Sequence, residues 1–171
     1  MSESSAATLC KSCGLCCTGH LFVWTKLRAA ELDTAQALGL KVFREPAQRG
    51  FSQPCPLWDG VCTIYTSTQY PDFCRTYKCK LLKELLNESI EFAAALTVVQ
   101  QTKAMIVELD ASLLPAKDQS FRERLVAFIE TRQDDSEDMT QEAGLIQKAG
   151  GLLAVYETRF GVKDMVPPAI G

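Results

Sequence analysis

The chain has 171 residues, of which 47% are hydrophobic and 23% are charged, and its formal net charge is −3. This length can bury a core without cross-links, and the small negative charge gives no drive toward nucleic acid or an anionic membrane. The N-terminal residues lack the basic and apolar regions of a signal peptide, and no uncharged apolar run reaches the ~18 residues of a membrane span. We therefore expect a cytoplasmic protein with no nucleic-acid or membrane partner.

The first half of the chain is rich in Cys, Pro, Gly and aromatic residues and predicts little regular structure. Residues 25–38 are predicted to form the first helix, with Thr25 as the N-cap and Gly39 at the C-terminal end. Residues 40–54 contain three helix- and strand-breaking residues and predict an irregular connection.

A hairpin is predicted next, because Asp59-Gly60 lies between two short apolar runs. We expect this hairpin to hold Cys55 and Cys62 at similar heights on opposite strands.

A short helix is predicted over residues 73–86, with Cys74 and Cys79 near its start. Cations surround these two thiols and would offset thiolate charge and lower thiol pKa values, or they form a solvated helix face. For Arg75, beside Cys74, the interaction with a thiolate is favoured. The other cations are Lys78, Lys80 and Lys83.

The second half is rich in Leu, Ala, Glu and Gln with helical periodicity, and it predicts three helices. Gly150 and Gly151, inside the last of them, indicate either close approach of a neighbouring helix or a kink. The first helix is predicted to bury Ile90, Ala94, Val98, Met105 and Leu109. The predicted spans are 88–113, before Pro115; 119–133, after Asp118 as N-cap; and 138–160, before Gly161.

The predicted fold is therefore mainly α, with a small irregular, cysteine-rich lobe that contains a β-hairpin. A bundle of three to four helices packs on this lobe. The predicted domains are a metal-chelating lobe at residues 1–86 and a helical body at residues 87–171.

All eight cysteines lie in the first half of the chain. In a reducing cytoplasm, clustered thiols are more often metal ligands than disulfides. The sequence therefore predicts a metal site, of zinc or iron, built from thiolates. The predicted ligands are Cys10, Cys13, Cys16, Cys17, Cys55, Cys62, Cys74 and Cys79.

The spacing leaves the metal open. Two successive Cys-x2-Cys steps, at Cys10, Cys13 and Cys16, with Cys55-Pro56 as a remote fourth ligand, partly match the pattern that holds a [4Fe-4S] cluster. The same thiols would also fill one or two tetrahedral zinc sites. His20, the single histidine, is either a further ligand or an imidazole outside the ligand set.

Three motifs in order resemble the CxxCxxCC family, described as a putative zinc- or iron-chelating domain. They are Cys10-Lys-Ser-Cys13-Gly-Leu-Cys16-Cys17, Cys55-Pro56-Leu57 with Cys62-Thr-Ile64-Tyr65, and Pro71-Asp-Phe-Cys74-Arg75 with Cys79. The resemblance covers roughly residues 10–80 and departs from the family pattern at residues 66–70, where the family usually has Arg before the proline. It implies metal chelation. Some larger relatives resemble flagellin lysine N-methylases, but this chain has no Gly-rich nucleotide loop for S-adenosylmethionine.

Three functions compete at this point. The first is a cytoplasmic metal-binding protein that chelates zinc or iron, with a protein partner on its helical half. The second is an iron–sulfur enzyme or electron-transfer module, and the third is a thiol redox sensor. The sequence identifies no catalytic residue.

Overall fold

The computed structural model describes residues 4–116, 119–132 and 140–163. This part is mainly helical, with seven α-helices, a three-stranded antiparallel sheet and a two-stranded hairpin, so the predicted fold class is confirmed. No helix in these ranges is long and apolar enough to cross a membrane.

Backbone contacts divide the chain into two compact units, Met1–Lys78 and Cys79–Gly171. A unit defined by contacts need not fold alone, so the domain boundary predicted after residue 86 stays a prediction.

The first unit begins with helix α1, Ser5–Cys13, which the sequence analysis missed. The Ser4 hydroxyl accepts a hydrogen bond from the Ala7 N–H at 3.3 Å and caps the helix. The helix ends at Gly14, whose φ of 71° suits a residue without a Cβ. Only one of its side chains, that of Leu9, is fully buried, so the helix has little apolar periodicity to predict it.

Strand β1, Trp24–Lys26, and helix α2, Leu32–Ala37, replace the single helix predicted over residues 25–38. Thr25 is not an N-cap: it pairs with Phe51 of the central strand. The predicted C-terminal glycine is confirmed, since Gly39 has a φ of 84°.

Two further strands, β2 at Val42–Phe43 and β3 at Gly50–Ser52, lie in the segment predicted to be irregular. Strand β3 lies between β1 and β2 and is antiparallel to both. A Cβ on Gly50 would lie 2.2 Å from the Thr25 carbonyl oxygen, so the pairing of β1 with β3 requires glycine here. The small apolar core under this sheet is formed by Leu27, Leu32, Ala35, Leu40 and Phe51.

The predicted hairpin is confirmed as strands β4, Trp58–Asp59, and β5, Val61–Cys62, with Gly60 at the turn. Its register differs from the prediction, because Cys62 pairs with Trp58. Cys55 precedes β4 and does not lie opposite Cys62.

The single helix predicted over residues 73–86 is wrong. Helix α3, Asp72–Thr76, ends at Tyr77, whose ψ of 132° is extended. Helix α4, Lys80–Leu86, begins after Cys79, which is its N-cap. The prediction joined the two helices into one because both contain helix-forming residues. No Pro or Gly lies between them to indicate a break.

The three helices of the second half are confirmed where they are described. The structure has a Ser120–Glu123 capping box, in which each side chain accepts a hydrogen bond from the other residue's N–H, at the start of the middle helix. The predicted N-cap, Asp118, and the predicted ends at 133 and 138–139 lie outside the described residues. The spans are α5, Phe92–Asp110; α6, Phe121–Arg132; and α7, Thr140–Val155, followed by a π turn over Tyr156–Phe160 that ends at Gly161.

The buried face of α5 is rotated by about one residue from the predicted stripe, whose Ala94 is exposed. A Cβ on Gly151 would lie 3.8 Å from Met105 Cε, an ordinary contact, and one on Gly150 would meet nothing. Close backbone approach at this pair was therefore a wrong interpretation, and the kink stays a prediction. The buried side chains of α5 are Ala95, Val99, Thr102, Ile106 and Leu109.

Candidate metal centre

Several cysteines of the first unit act electrostatically on Cys17. Burial raises the pKa of Cys17, and the thiolate charges of four other cysteines raise that pKa further. Like charges interact this way only at short range, so the five sulfurs share one neighbourhood. We call this set the five-thiol cluster: Cys10, Cys17, Cys55, Cys62 and Cys74.

The cluster assembles residues from separate segments of the chain. Direct backbone pairing joins two of these segments, since the Cys55 N–H donates to the Cys17 carbonyl at 2.7 Å. Cys55 and Cys74 also pack against the apolar core under the sheet. Cys10 lies on α1, Cys17 in the following loop, Cys55 before the hairpin, Cys62 on β5 and Cys74 on α3.

Trp58 and Gly14 fix the hairpin against the loop that follows α1. A Cβ on Gly14 would lie 2.0 Å from Trp58 Cζ2, so the indole ring occupies the space that a side chain at this position would fill. Because Trp58 pairs with Cys62, this contact holds the second motif of cysteines beside the first.

Glu31 positions the start of α3, and with it Cys74. One carboxylate oxygen accepts from the Asp72 N–H at 2.7 Å, and the other accepts from the Arg28 N–H, also at 2.7 Å. An ion pair between Arg28 and Asp72, at 2.7 Å, closes the same arrangement.

Burial favours the neutral form of four thiols of the cluster, those of Cys17, Cys55, Cys62 and Cys74, by raising their pKa values. Burial is the main cause of the raised pKa values of Cys55 and Cys62, and burial with neighbouring thiolates raises the pKa of Cys74 to about 12. Opposing this, the N–H groups of Leu57 and Ile64 hydrogen-bond to the sulfurs of Cys55 and Cys62 and lower their pKa values. These N–H groups favour the thiolate that a metal would bind.

Tyr70 belongs to the same neighbourhood, and the sequence analysis missed it. Burial raises its pKa, and Cys74, Cys10, Cys62 and Cys17 raise it further. Its hydroxyl donates to the Cys74 carbonyl at 3.2 Å. The only sequence signal was its place in the loop that departs from the family pattern.

Arg75 contacts the loop that contains Tyr70. Its guanidinium donates to the carbonyls of Ser67 and Tyr70 at 3.1 and 3.3 Å and lies 5.4 Å from the centre of the Tyr70 ring. The charges that act most strongly on Cys74 are those of other thiols and of Glu31, and the interaction predicted between Arg75 and a thiolate stays a prediction.

The remaining predicted ligands are Cys13, Cys16, Cys79 and His20. Cys13 ends α1, Cys16 lies in the loop behind it, and both are half-buried. Cys79 belongs to the second unit, where its sulfur accepts from the Leu82 N–H at 3.4 Å and caps α4. His20 is half-buried with a buried Nδ1, and its backbone N–H donates to the Leu15 carbonyl at 3.1 Å. Their roles as ligands stay predictions.

Among the residues that the structure describes, no three His, Cys, Asp or Glu side chains form a group placed to hold one metal ion. All eight cysteines lie in that part of the chain, and none forms a disulfide. The chemistry of the five-thiol cluster nevertheless fits a thiophilic metal, since soft sulfur ligands and N–H donors toward two of them are already in place.

A comparison with known families matches residues 9–103 to a family model described as a putative zinc- or iron-chelating domain. The chain belongs to the CxxCxxCC family. This match contains all eight cysteines and extends through most of α5, farther than the motifs alone indicated. Comparisons with curated proteins and with solved structures find no match.

The motif that gives the CxxCxxCC family its name spans a helix end and a loop in this structure. Its first two cysteines lie on α1, and the last two follow Gly14. The family assignment supports the prediction that the protein binds a metal.

Proposed function

We propose that this protein chelates zinc or iron in the cytoplasm, with thiolates of the five-thiol cluster as ligands. The observation that carries the proposal is the contact between the cysteine-bearing segments: the Cys55 N–H donates to the Cys17 carbonyl, and Trp58, the strand partner of Cys62, packs on Gly14. A tetrahedral site needs four such ligands, and the cluster offers five.

The energetic argument concerns what these thiols do without a metal. Burying several thiols side by side makes their ionisation unfavourable, because each thiolate would repel the others. A divalent cation replaces their protons and removes that repulsion, so metal binding releases protons and stabilises the folded lobe. The cation that acts on the cluster most clearly is Lys11, which lowers the pKa of Cys62.

A metal would have to draw the sulfurs of the cluster together by side-chain rotation. The backbone that carries them is fixed by the Cys17–Cys55 hydrogen bond, by the Trp58 ring on Gly14 and by Glu31 at α3. The bound ion would supply charge neutralisation and a cross-link between α1, the hairpin and α3.

Elemental analysis with an absorption spectrum tests this proposal, on protein purified without chelator and without oxygen. We expect zinc or iron near one equivalent per chain. Colourless protein with zinc indicates a thiolate–zinc site, and colour with acid-labile sulfide indicates the iron–sulfur alternative that the Cys-x2-Cys-x2-Cys spacing favours. Metal-free protein that binds neither ion on titration, with thiols that form reversible disulfides, would contradict chelation in favour of a redox sensor.

A further inference from the structure

A cleft of about 610 Å³ opens in the first unit, and none of its lining residues is a cysteine. Its size lies within the range of pockets for small molecules, ~300–1,000 Å³. We call it the β1 cleft. Its lining includes Trp24, Lys26, Pro46, Arg49 and Phe73.

Two aromatic rings form part of its walls, and both are held in place. The Trp24 ring lies over β3, where a Cβ on Gly50 would come within 2.8 Å of Trp24 Cε3. The Phe73 ring stacks on Tyr77, with centroids 5.5 Å apart and planes 11° apart. Rings held by such contacts give a ligand apolar surface without a large loss of side-chain entropy.

Two cations of the β1 cleft are not neutralised. Arg28 and Asp72 pair with each other, and both carboxylate oxygens of Glu31 accept backbone N–H groups. In contrast, neither Lys26 nor Arg49 has an ion pair or a side-chain hydrogen bond within the described ranges.

The backbone places these two residues at neighbouring positions of the β1–β3 pairing, and both line the β1 cleft. Lys26, the last residue of β1, pairs with Gly50, and the Leu27 N–H donates to the Arg49 carbonyl at 3.1 Å. Two adjacent unpaired cations beside aromatic rings provide sites for an anionic group and for a flat apolar group.

We propose that the β1 cleft binds a small molecule that joins a flat ring to a phosphate or carboxylate group. The ring lies against Trp24 and Phe73, and the anion pairs with Lys26 and Arg49. This inference goes beyond metal chelation, since none of the residues that bind the ligand belongs to the five-thiol cluster.

The test is calorimetric titration of the full-length, metal-loaded protein with 1-naphthyl phosphate at about 150 mM salt, where exposed charges are screened over ~8 Å. We expect saturable binding at one site, and binding of inorganic phosphate at least about tenfold weaker because it lacks the ring. Lys26→Gln and Arg49→Gln should each weaken the binding of naphthyl phosphate about tenfold, the loss of one charge-assisted hydrogen bond.

Lys41→Gln is the matched control, because Lys41 is an exposed cation of the same unit outside the cleft lining. It should leave the binding of naphthyl phosphate unchanged. Lys26→Arg keeps the positive charge and should retain that binding as well. Equal weakening by Lys41→Gln, or equally tight binding of inorganic phosphate, would reduce the site to a general charge effect and overturn the proposal. Absence of saturable binding would overturn it too.

A glutamate-rich peptide separates a small-molecule site from a protein-binding site. If it binds more tightly than naphthyl phosphate and depends on the same two cations, the cleft binds an acidic protein partner and our proposal is wrong. Metal content is measured on every variant. Unmutated protein that binds metal but not naphthyl phosphate would overturn this inference alone, and protein that binds naphthyl phosphate but no metal would overturn the chelation proposal alone.

Discussion

At the scale of single residues, the predicted metal ligands fall into different environments. Cys17 and Cys74 are half-buried thiols whose pKa values are raised by burial and by other thiolates. Burial raises the pKa of Cys79 too, but the other groups that act on it are the N–H groups at the start of α4 and Lys83, which lower that pKa. The chemical type of these residues is the same, and their neighbours decide what each can do.

We predict that Cys17→Ser and Cys74→Ser each lower the affinity for metal by at least about tenfold, because a hydroxyl is a poor substitute for a thiolate ligand. Cys79→Ser is the matched control. Serine is a good N-cap and should preserve the start of α4, so we expect its metal content to be unchanged. Equilibrium titration with a competing chelator measures these affinities. Loss of metal from Cys79→Ser would add this residue to the ligand set, and full retention in both other variants would contradict the proposed cluster.

Gly14 carries two constraints that can be separated by mutation. Alanine at its φ of 71° costs about 1 kcal/mol, and the new Cβ would also displace the Trp58 ring. We expect Gly14→Ala to lower the free energy of unfolding by roughly 2–4 kcal/mol, since the clash adds to the backbone strain. Denaturant unfolding of the metal-free protein measures the loss.

Gly39→Ala isolates the backbone part of that loss. Gly39 has a φ of 84°, and a Cβ there meets nothing within 4 Å. It should lose only about 1 kcal/mol. Equal losses at the two glycines would show that the contact with Trp58 contributes nothing to stability.

At the scale of elements, helix α3 is positioned by a residue from a distant part of the chain. Its five residues, Asp72–Thr76, are too few for an independently stable helix. Glu31, forty-one residues earlier, accepts the Asp72 N–H and so fixes the helix start and the direction of Cys74. The local sequence of α3 does not show this dependence.

Replacing Glu31 tests whether this anchoring matters for the metal. Glu31→Ala leaves the Asp72 and Arg28 N–H groups without their acceptor, so we expect a loss of about 1–3 kcal/mol in stability and a lower metal affinity. Asp33→Ala is the control from the same unit, because it removes only an exposed ion pair with Arg44. Differential scanning fluorimetry with and without metal compares them. Equal effects of the two variants would show that Glu31 does not position the metal site.

The elements that sequence reasoning recovered are those with local signals. Asp59-Gly60 predicted the β4–β5 hairpin, and apolar periodicity predicted α5, α6 and α7. Strand β1, which was missed, depends on a partner far along the chain. Strand β1 exists because β3 pairs with it, which made Thr25 a strand residue although its sequence context suited a helix cap.

At the scale of the whole molecule, the raised thiol pKa values couple stability to pH. An unfolded thiol has a pKa near 9.0, whereas folding raises that of Cys74 to about 12 and that of Cys17 further. The folded state therefore favours the protonated thiols. Their contribution to stability is fully present below pH 9 and is lost as the pH rises toward 12, by up to about 1.4 kcal/mol per pH unit for each thiol.

We therefore predict that the metal-free protein loses stability between pH 9 and pH 11, and urea unfolding at several pH values measures this loss. Other groups titrate in the same range, so the control is a Cys17→Ala/Cys74→Ala variant, which should show a smaller dependence on pH. The same dependence in the variant would show that these thiols are not the cause. Metal binding should reverse the trend, since the metal takes the place of the thiol protons.

Metal removal should affect the two compact units differently. The five-thiol cluster lies in the unit Met1–Lys78, whose apolar core is small, and the unit Cys79–Gly171 has its own helical core. We expect chelation of the metal to increase amide hydrogen exchange in α1, the hairpin and α3, and to leave α5 protected. An equal increase in α5 would show that the metal stabilises both units.

Local sequence features were enough to indicate the family and the fold class of the protein. Residue types and short spacings predicted the thiol ligands, the CxxCxxCC family and the helical second half of the chain. These features depend on local composition and periodicity. Tertiary contacts were needed to show which thiols share a neighbourhood, that Tyr70 joins them, and that Lys26 and Arg49 line one cleft with two aromatic rings. Those outcomes rest on contacts between distant residues, such as Gly14 with Trp58 and Gly50 with Trp24, and no local pattern in the chain encodes them.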